Sequence, residues 1–129
     1  MADISYLNNI ERKLDDQQMK VCCSKGNTIV AAGAGSGKTH VLALRYSYLV
    51  MTEEIPVDKI LTLTFTEKAA AEMYERIYST LVKFARDEKT PEKERKLAEK
   101  AVAEFSTAHI QTLDSYCSAV VRQAANRYG

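Results

Sequence analysis

The sequence predicts an α/β fold, a parallel sheet with flanking helices, on three observations. Short β-branched or bulky apolar runs alternate with longer stretches of helical period. A glycine-rich loop joins the first such run to a helix, an arrangement that belongs to strand–crossover–strand units. The 129 residues, 46% hydrophobic and 27% charged, are ordinary for one soluble core, and a chain of this size buries roughly two-thirds of its unfolded surface.

The elements follow in order. Ile4, Leu7, Ile10 and Leu14 recur at steps of three, three and four, which places one apolar face on a short helix. Asp15 or Asp16 then caps a second helix carrying Gln18, Val21 and Cys22, until Lys25-Gly26-Asn27 breaks it. Thr28 to Ala32 is a short buried strand bounded by glycines, and a helix from Gly37 to about Met51 follows, apolar on most sides and therefore internal. Pro56 ends that region. Lys59 to Phe65 is the second strand, bulky enough to be covered on both faces. Ala69, Met73, Ile77 and Leu81, with Ala70 and Phe84 beside them, set the stripe of the next helix. Thr90-Pro91 starts another, with Leu97, Ala98, Ala101, Val102 and Phe105 inward and its many charges in solvent. A third strand at Ala108 to Thr112 precedes a last helix whose inner positions are Cys117, Val120, Val121 and Ala124. Three strands make an incomplete sheet, and another is expected after Gly129.

Composition limits the function classes. Lysine and arginine outnumber the acidic residues by 18 to 17, so the chain is not a broadly basic nucleic-acid binder and any DNA contact must be local. Cys22, Cys23 and Cys117 have neither metal-ligand nor redox-motif spacing and read as reduced thiols. The apolar stretch from Val41 to Met51 is interrupted by Arg45, and the N-terminus has no apolar signal core, so no membrane association and a cytoplasmic location are expected.

The strongest chemical signal is Ala32-Gly33-Ala34-Gly35-Ser36-Gly37-Lys38-Thr39, a phosphate-binding loop in which Ala32 replaces the usual first glycine. Small residues let successive backbone N–H groups turn inward around a β-phosphate, and the following helix adds the positive end of its dipole. Lys38 would reach the β- and γ-phosphates and the Thr39 hydroxyl would coordinate Mg²⁺. These two residues are the candidate catalytic pair.

The loop alone gives nucleotide binding, and the residues around it extend the reading. The sequence resembles the superfamily 1 helicases of the UvrD/PcrA/Rep and RecB/AddA group, in segments spread from about Leu14 to Cys117. Ala32 fits that family. Leu14-Asp15-Asp16-Gln17-Gln18 is similar to its Q motif, with Gln18 in the position that reads adenine. Thr64-Phe65-Thr66, followed by Lys68, Ala69, Ala70, Glu72, Met73 and Arg76, resembles motif Ia, which contacts single-stranded DNA. A ring at Phe65 could stack on a base, and Thr64 or Thr66 could donate to phosphate.

Ile110 to Cys117 resembles a second DNA-contacting segment, with Thr112, Ser115 and Tyr116 as contacts and Asp114 in place of the usual histidine. Asp114 reads as a helix N-cap. His40 occupies the place where relatives often carry an arginine that stacks on adenine.

The resemblance implies a RecA-like P-loop NTPase fold, with residues 1–129 as the N-terminal part of the first motor domain. It also implies ATP and Mg²⁺ as cofactors, single-stranded DNA as partner, and a second helicase-nuclease subunit. The parent would be an ATP-dependent DNA helicase or exonuclease subunit in repair and recombination. The segment between motif Ia and Thr112, with its charged helix, points to the RecB/AddA type. The family's Walker B Asp-Glu and arginine fingers do not occur here, so the chain alone is expected to hydrolyse almost no ATP. The other reading is a P-loop protein of a different kind, such as a kinase, with Asp114 as an atypical Walker B residue.

Overall fold

The computed structural model describes residues 6–7, 14–24 and 38–128. Most of the first expected helix, the strand expected at Thr28 to Ala32 and the loop from Ala32 to Gly37 lie outside the described residues. Tyr6 and Leu7 are described, and both are buried.

α1 (Asp16–Cys23) begins in a reciprocal cap. The Asp15 carboxylate accepts from Gln18 N–H at 2.7 Å, and Asp15 N–H donates to Gln18 Oε1 at 3.0 Å, so two otherwise orphaned N–H groups are satisfied together. Its other end is closed from a distance. The Arg45 guanidinium donates to the carbonyl oxygens of Val21 and Ser24, each at 3.0 Å, placing a cation at the negative end of the helix. The charge that interrupts the apolar run of α2 therefore holds α1 to α2.

α2 (Lys38–Met51) is internal as expected, burying Val41, Leu44, Tyr46, Tyr48 and Met51 among others. A short 3-10 turn, Val57–Lys59, precedes β1 (Leu61–Thr64), so the strand begins later than the expected Lys59. Lys59 N–H donates to the Pro56 carbonyl at 3.0 Å, which commits that residue to the turn and withholds it from a ladder. α3 (Glu67–Arg86) buries Ala70, Met73, Ile77, Leu81 and Phe84, and α4 (Glu92–Ala103) starts directly after Pro91. The stripes of α3 and α4 meet around Phe105, whose ring lies 4.8 Å from that of Tyr74 and 6.2 Å from that of Tyr46.

β2 (His109–Thr112) pairs with β1 in parallel, Leu61 opposite His109 and Thr64 opposite Thr112. The described sheet has these two strands, joined through α3 and α4. The chain is thus a helix-rich α/β fold with a small parallel sheet. Alternation puts Ile60, Thr62 and Ile110 on the side toward the helices, with Ile60 and Ile110 packed against the core.

Two burial expectations fail. The opposite face of β1 is open, with Leu61 45% and Leu63 39% exposed, because the described helix α3 packs on the other side. α5 (Leu113–Tyr128) is exposed along its described length, including Cys117, Val120, Val121 and Ala124. It packs against the strands near its start, and no described element covers the face those residues form.

The Tyr46 hydroxyl is buried without a hydrogen-bond partner among the described residues, and burial pushes its pKa up to about 12 from 10.0. Above pH 10 the unfolded chain loses this proton before the folded one does, so stability falls as pH rises through the interval from 10 to 12. Tyr46→Phe is expected to keep or raise the melting temperature, since it removes an unsatisfied polar atom and little volume. Its loss of stability over that alkaline interval should be shallower than the parent's. Thermal denaturation at neutral pH and across that range checks both, and a clear drop at neutral pH would mean that the hydroxyl has a partner.

Candidate functional site

α2 emerges from the glycine-rich loop with Lys38 and Thr39 in its first turn, both exposed. The first N–H groups of a 14-residue helix point there, and the dipole favours an anion. His40 is half-buried just behind them. A cavity of about 640 Å³ opens beside this turn, with Thr39, His40 and Leu44 on the α2 side and Glu72, Arg76 and Phe84 on the α3 side. Its volume is that of a small-molecule site. The remaining loop residues, Ala32, Gly33, Ala34, Gly35, Ser36 and Gly37, lie outside the described residues.

Gln18 stands on α1 with its carboxamide oxygen bonded to Asp15 N–H. Accepting from an adenine amino group through that oxygen would compete with the cap, whereas the carboxamide nitrogen can donate without opening it.

The second cluster lies at the carboxyl ends of the strands. Register puts Thr64 beside Thr112, so the two sequence-predicted DNA segments meet there. Phe65 is 89% exposed, which excludes the core reading of its ring within this chain. Thr66 caps α3, its hydroxyl accepting from Ala69 N–H at 3.0 Å, and Thr64 Oγ1 donates to the Thr66 carbonyl at 3.2 Å.

Thr112 is 5% exposed. Its oxygen accepts from Ser115 N–H at 3.1 Å and lies 2.9 Å from Ser115 Oγ and 3.4 Å from Glu67 Oε1. Thr112 rather than Asp114 therefore caps α5, because the helix begins one residue before Asp114, which sits exposed in the first turn. That position also removes Asp114 from a strand end, where a Walker B carboxylate would stand. Ser115 and Tyr116 are exposed, and a ligand would meet them before the Thr112 hydroxyl.

Sequence reasoning grouped Arg76 with the DNA segment, yet its side chain lines the cavity beside Thr39 and His40. The signal was present in the polar spacing of Glu72, Arg76, Ser79 and Lys83, which marks a second face of α3 opposite its apolar stripe. The role of Arg45 as a clasp on α1 left no comparable pattern.

The adjacent cysteines on α1 are not activated thiols. Burial pushes the Cys22 and Cys23 thiols up, so both stay protonated at neutral pH. Among the described residues no group of three or more His, Cys, Asp or Glu side chains could hold a metal ion. No helix among them is long and apolar enough to cross a membrane.

Residues 14–129 match the model of the UvrD/REP helicase N-terminal domain family. The chain is 49% identical over 85 residues to a DNA helicase II of Haemophilus influenzae, a match that covers 66% of the chain and 11% of that relative. It is 39% identical over 113 residues to an ATP-dependent helicase/nuclease subunit of Enterococcus faecalis, covering 88% of the chain and 9% of the relative. A probable DNA helicase II homolog of Mycoplasma pneumoniae is 36% identical over 120 residues, 92% of the chain and 14% of the relative. The chain thus spans about a tenth of the length of these curated relatives.

Two substitutions separate the scaffold from the surface of the strand-end cluster. Thr66→Ala should lower unfolding free energy by about 1 kcal/mol through loss of the α3 cap. Phe65→Ala, one residue away, should change it by less than about 0.5 kcal/mol because the ring touches little. Urea denaturation of both variants is the check, and a large loss for Phe65→Ala would place the ring against the core.

Proposed function

The chain belongs to the UvrD/REP helicase N-terminal domain family, and from that premise we propose that it is the ATP-binding segment of a DNA helicase motor that tracks along single-stranded DNA. The observation that carries the proposal is the pair Lys38-Thr39 at the exposed start of α2, in a chain whose two strand ends also present Phe65 and Tyr116. One cluster has the chemistry of a triphosphate, the other that of a base and its phosphate.

On this reading the fold is that of a P-loop NTPase. The loop from Ala32 to Gly37 cradles the β-phosphate, Lys38 neutralises the β- and γ-oxygens, and Thr39 offers its hydroxyl to Mg²⁺. An exposed hydroxyl in the first helical turn is suited to that ligand role. Bound there, Mg²⁺ would supply charge neutralisation between the β- and γ-phosphates. Gln18 and His40 approach the nucleoside side.

Phe65 stacks on a base without regard to sequence, while Thr64, Thr66, Ser115 and Tyr116 supply polar contacts to the strand, with Thr112 holding Ser115 in place. ATP closure against a second motor domain would then shift this surface along the strand. The relatives named as helicase/nuclease subunits support a helicase-nuclease, and on this reading it is of the RecB/AddA type, with a second subunit, exonuclease activity and a part in repair and recombination in the cytoplasm. Relatives named DNA helicase II support the plain helicase.

Lys38→Ala is expected to abolish the fluorescence or calorimetric signal of ATP·Mg²⁺ binding while far-UV circular dichroism stays the same. Chelating Mg²⁺ should weaken ATP binding to the unsubstituted chain. In the full-length protein, Phe65→Ala should weaken single-strand binding by roughly 5- to 150-fold, the equivalent of one lost stack of about 1–3 kcal/mol, and leave ATP affinity alone. Unchanged ATP binding by Lys38→Ala would defeat the phosphate assignment, and unchanged DNA binding by Phe65→Ala would defeat the stacking assignment.

A further inference from the structure

We infer that Arg45 is a positioning residue for the nucleotide: by clasping the carboxyl end of α1 to α2 it holds Gln18 in a fixed place relative to Lys38 and Thr39. The inference rests on the nucleotide-binding reading and names a residue that acts through α1 rather than on the ligand.

Apolar packing alone anchors α1 weakly. Its eight residues are fewer than a helix needs to stand alone in water, and Cys22 is the one it buries fully. Met19 and Cys23 are only partly buried against the core. Apolar contact of that extent is non-directional and leaves α1 able to slide on α2. Hydrogen bonds supply the direction. Arg45 Nη1 donates to the Val21 and Ser24 carbonyl oxygens at 3.0 Å each and lies 3.0 Å from Ser24 Oγ, so this nitrogen is committed to the end of α1. The guanidinium fork is planar and rigid, and its bonds to carbonyl oxygens are charge-assisted.

The elements joined by this clasp carry the two halves of the nucleotide site. Arg45 stands seven residues after Lys38 on one continuous helix, about two turns and roughly 10 Å along the axis, so both lie on the same side of α2. Gln18 stands three residues before Val21, about one turn back along α1, and is half-buried. Its reciprocal bonds with Asp15 tie its side chain to the helix, so Gln18 moves as α1 moves. With the phosphates anchored at Lys38, a slide of α1 by about 1 Å would take Gln18 out of hydrogen-bond range of the base.

The test is a double-substitution cycle on the full chain in Mg²⁺, with ATP and inorganic tripolyphosphate as probes. Gln18→Ala should weaken ATP binding on the order of fivefold, the loss of one hydrogen bond, and Arg45→Met should weaken it by about as much. Neither should alter the binding of tripolyphosphate, which has no base. The double variant should bind ATP no more weakly than Gln18→Ala alone, because misplacing an absent group costs nothing. Arg45→Lys, which keeps a cation near the carbonyls, should recover part of the ATP affinity, and it takes the place of Arg45→Met in the cycle if that variant is too unstable to titrate. Additive losses, equal weakening of the two probes, or unchanged ATP affinity in the Arg45 variants would overturn the inference and reduce the clasp to a matter of stability. Unchanged ATP affinity in Gln18→Ala would overturn it as well, with the phosphate site left standing. If the unsubstituted chain bound neither probe, the nucleotide-binding reading would fall and this inference with it.

Discussion

The structure depends on the burial of one stripe of α3. Ala70, Met73, Ile77, Leu81 and Phe84 are all buried, against α2 on one side and α4 on the other. Each of the four larger side chains contributes roughly 1.5–3 kcal/mol through removal from water, an upper estimate against an extended chain. A rotation of α3 by one residue, about 100°, would put most of that stripe into solvent. The rotational setting of the helix is therefore not adjustable at modest cost. Once it is fixed, Thr66 must close the helix at the strand end, Phe65 is left outside it, and Arg76 faces the start of α2.

That constraint explains which parts of the fold were legible beforehand. The stripes of α3 and α4 repeat at helical spacing, and Pro91 marks a helix start by removing a donor that the first turn does not need. The strands His109–Thr112 and Leu61–Thr64 stood out for their β-branched and bulky residues. What periodicity cannot convey is the partner. Val120 and Val121 have the pattern of an inner face, and Leu61 and Leu63 that of a covered strand, yet no described residue covers them. An apolar pattern states that a face is suited to burial; whether it is buried depends on what lies opposite.

The site residues divide in the same way. Lys38 and Thr39 could be proposed from sequence because the loop geometry needs small residues at fixed offsets, so the pattern is itself the constraint. The sequence favours Asp114 as the cap of α5 and Thr112 takes that place instead, since either residue type makes a helix cap and the choice turns on where α5 begins. Arg45 and Arg76 were obscure for a third reason. Each acts across helices, on α1 and beside α2 respectively, and no spacing within one segment encodes a contact with another.

The strand-end surface also bears on how a motor of the proposed kind would hold its track. The net charge of the chain is +1, and the exposed residues around Phe65 are Thr66, Ser115 and Tyr116 with Glu67, Lys68 and Asp114, so the surface carries one lysine rather than a row of them. A surface that neutralised many phosphates would bind tightly, with a steep dependence on salt, and would have to release all those contacts at each step. One stacked ring and a few hydroxyls bind through contacts that are individually weak, indifferent to base identity and remade identically one nucleotide further on. Such a surface can lose its hold during a step only if the backbone carrying it is rigid enough to restore the same geometry afterwards. The cap at Thr66 and the locked stripe of α3 supply that rigidity.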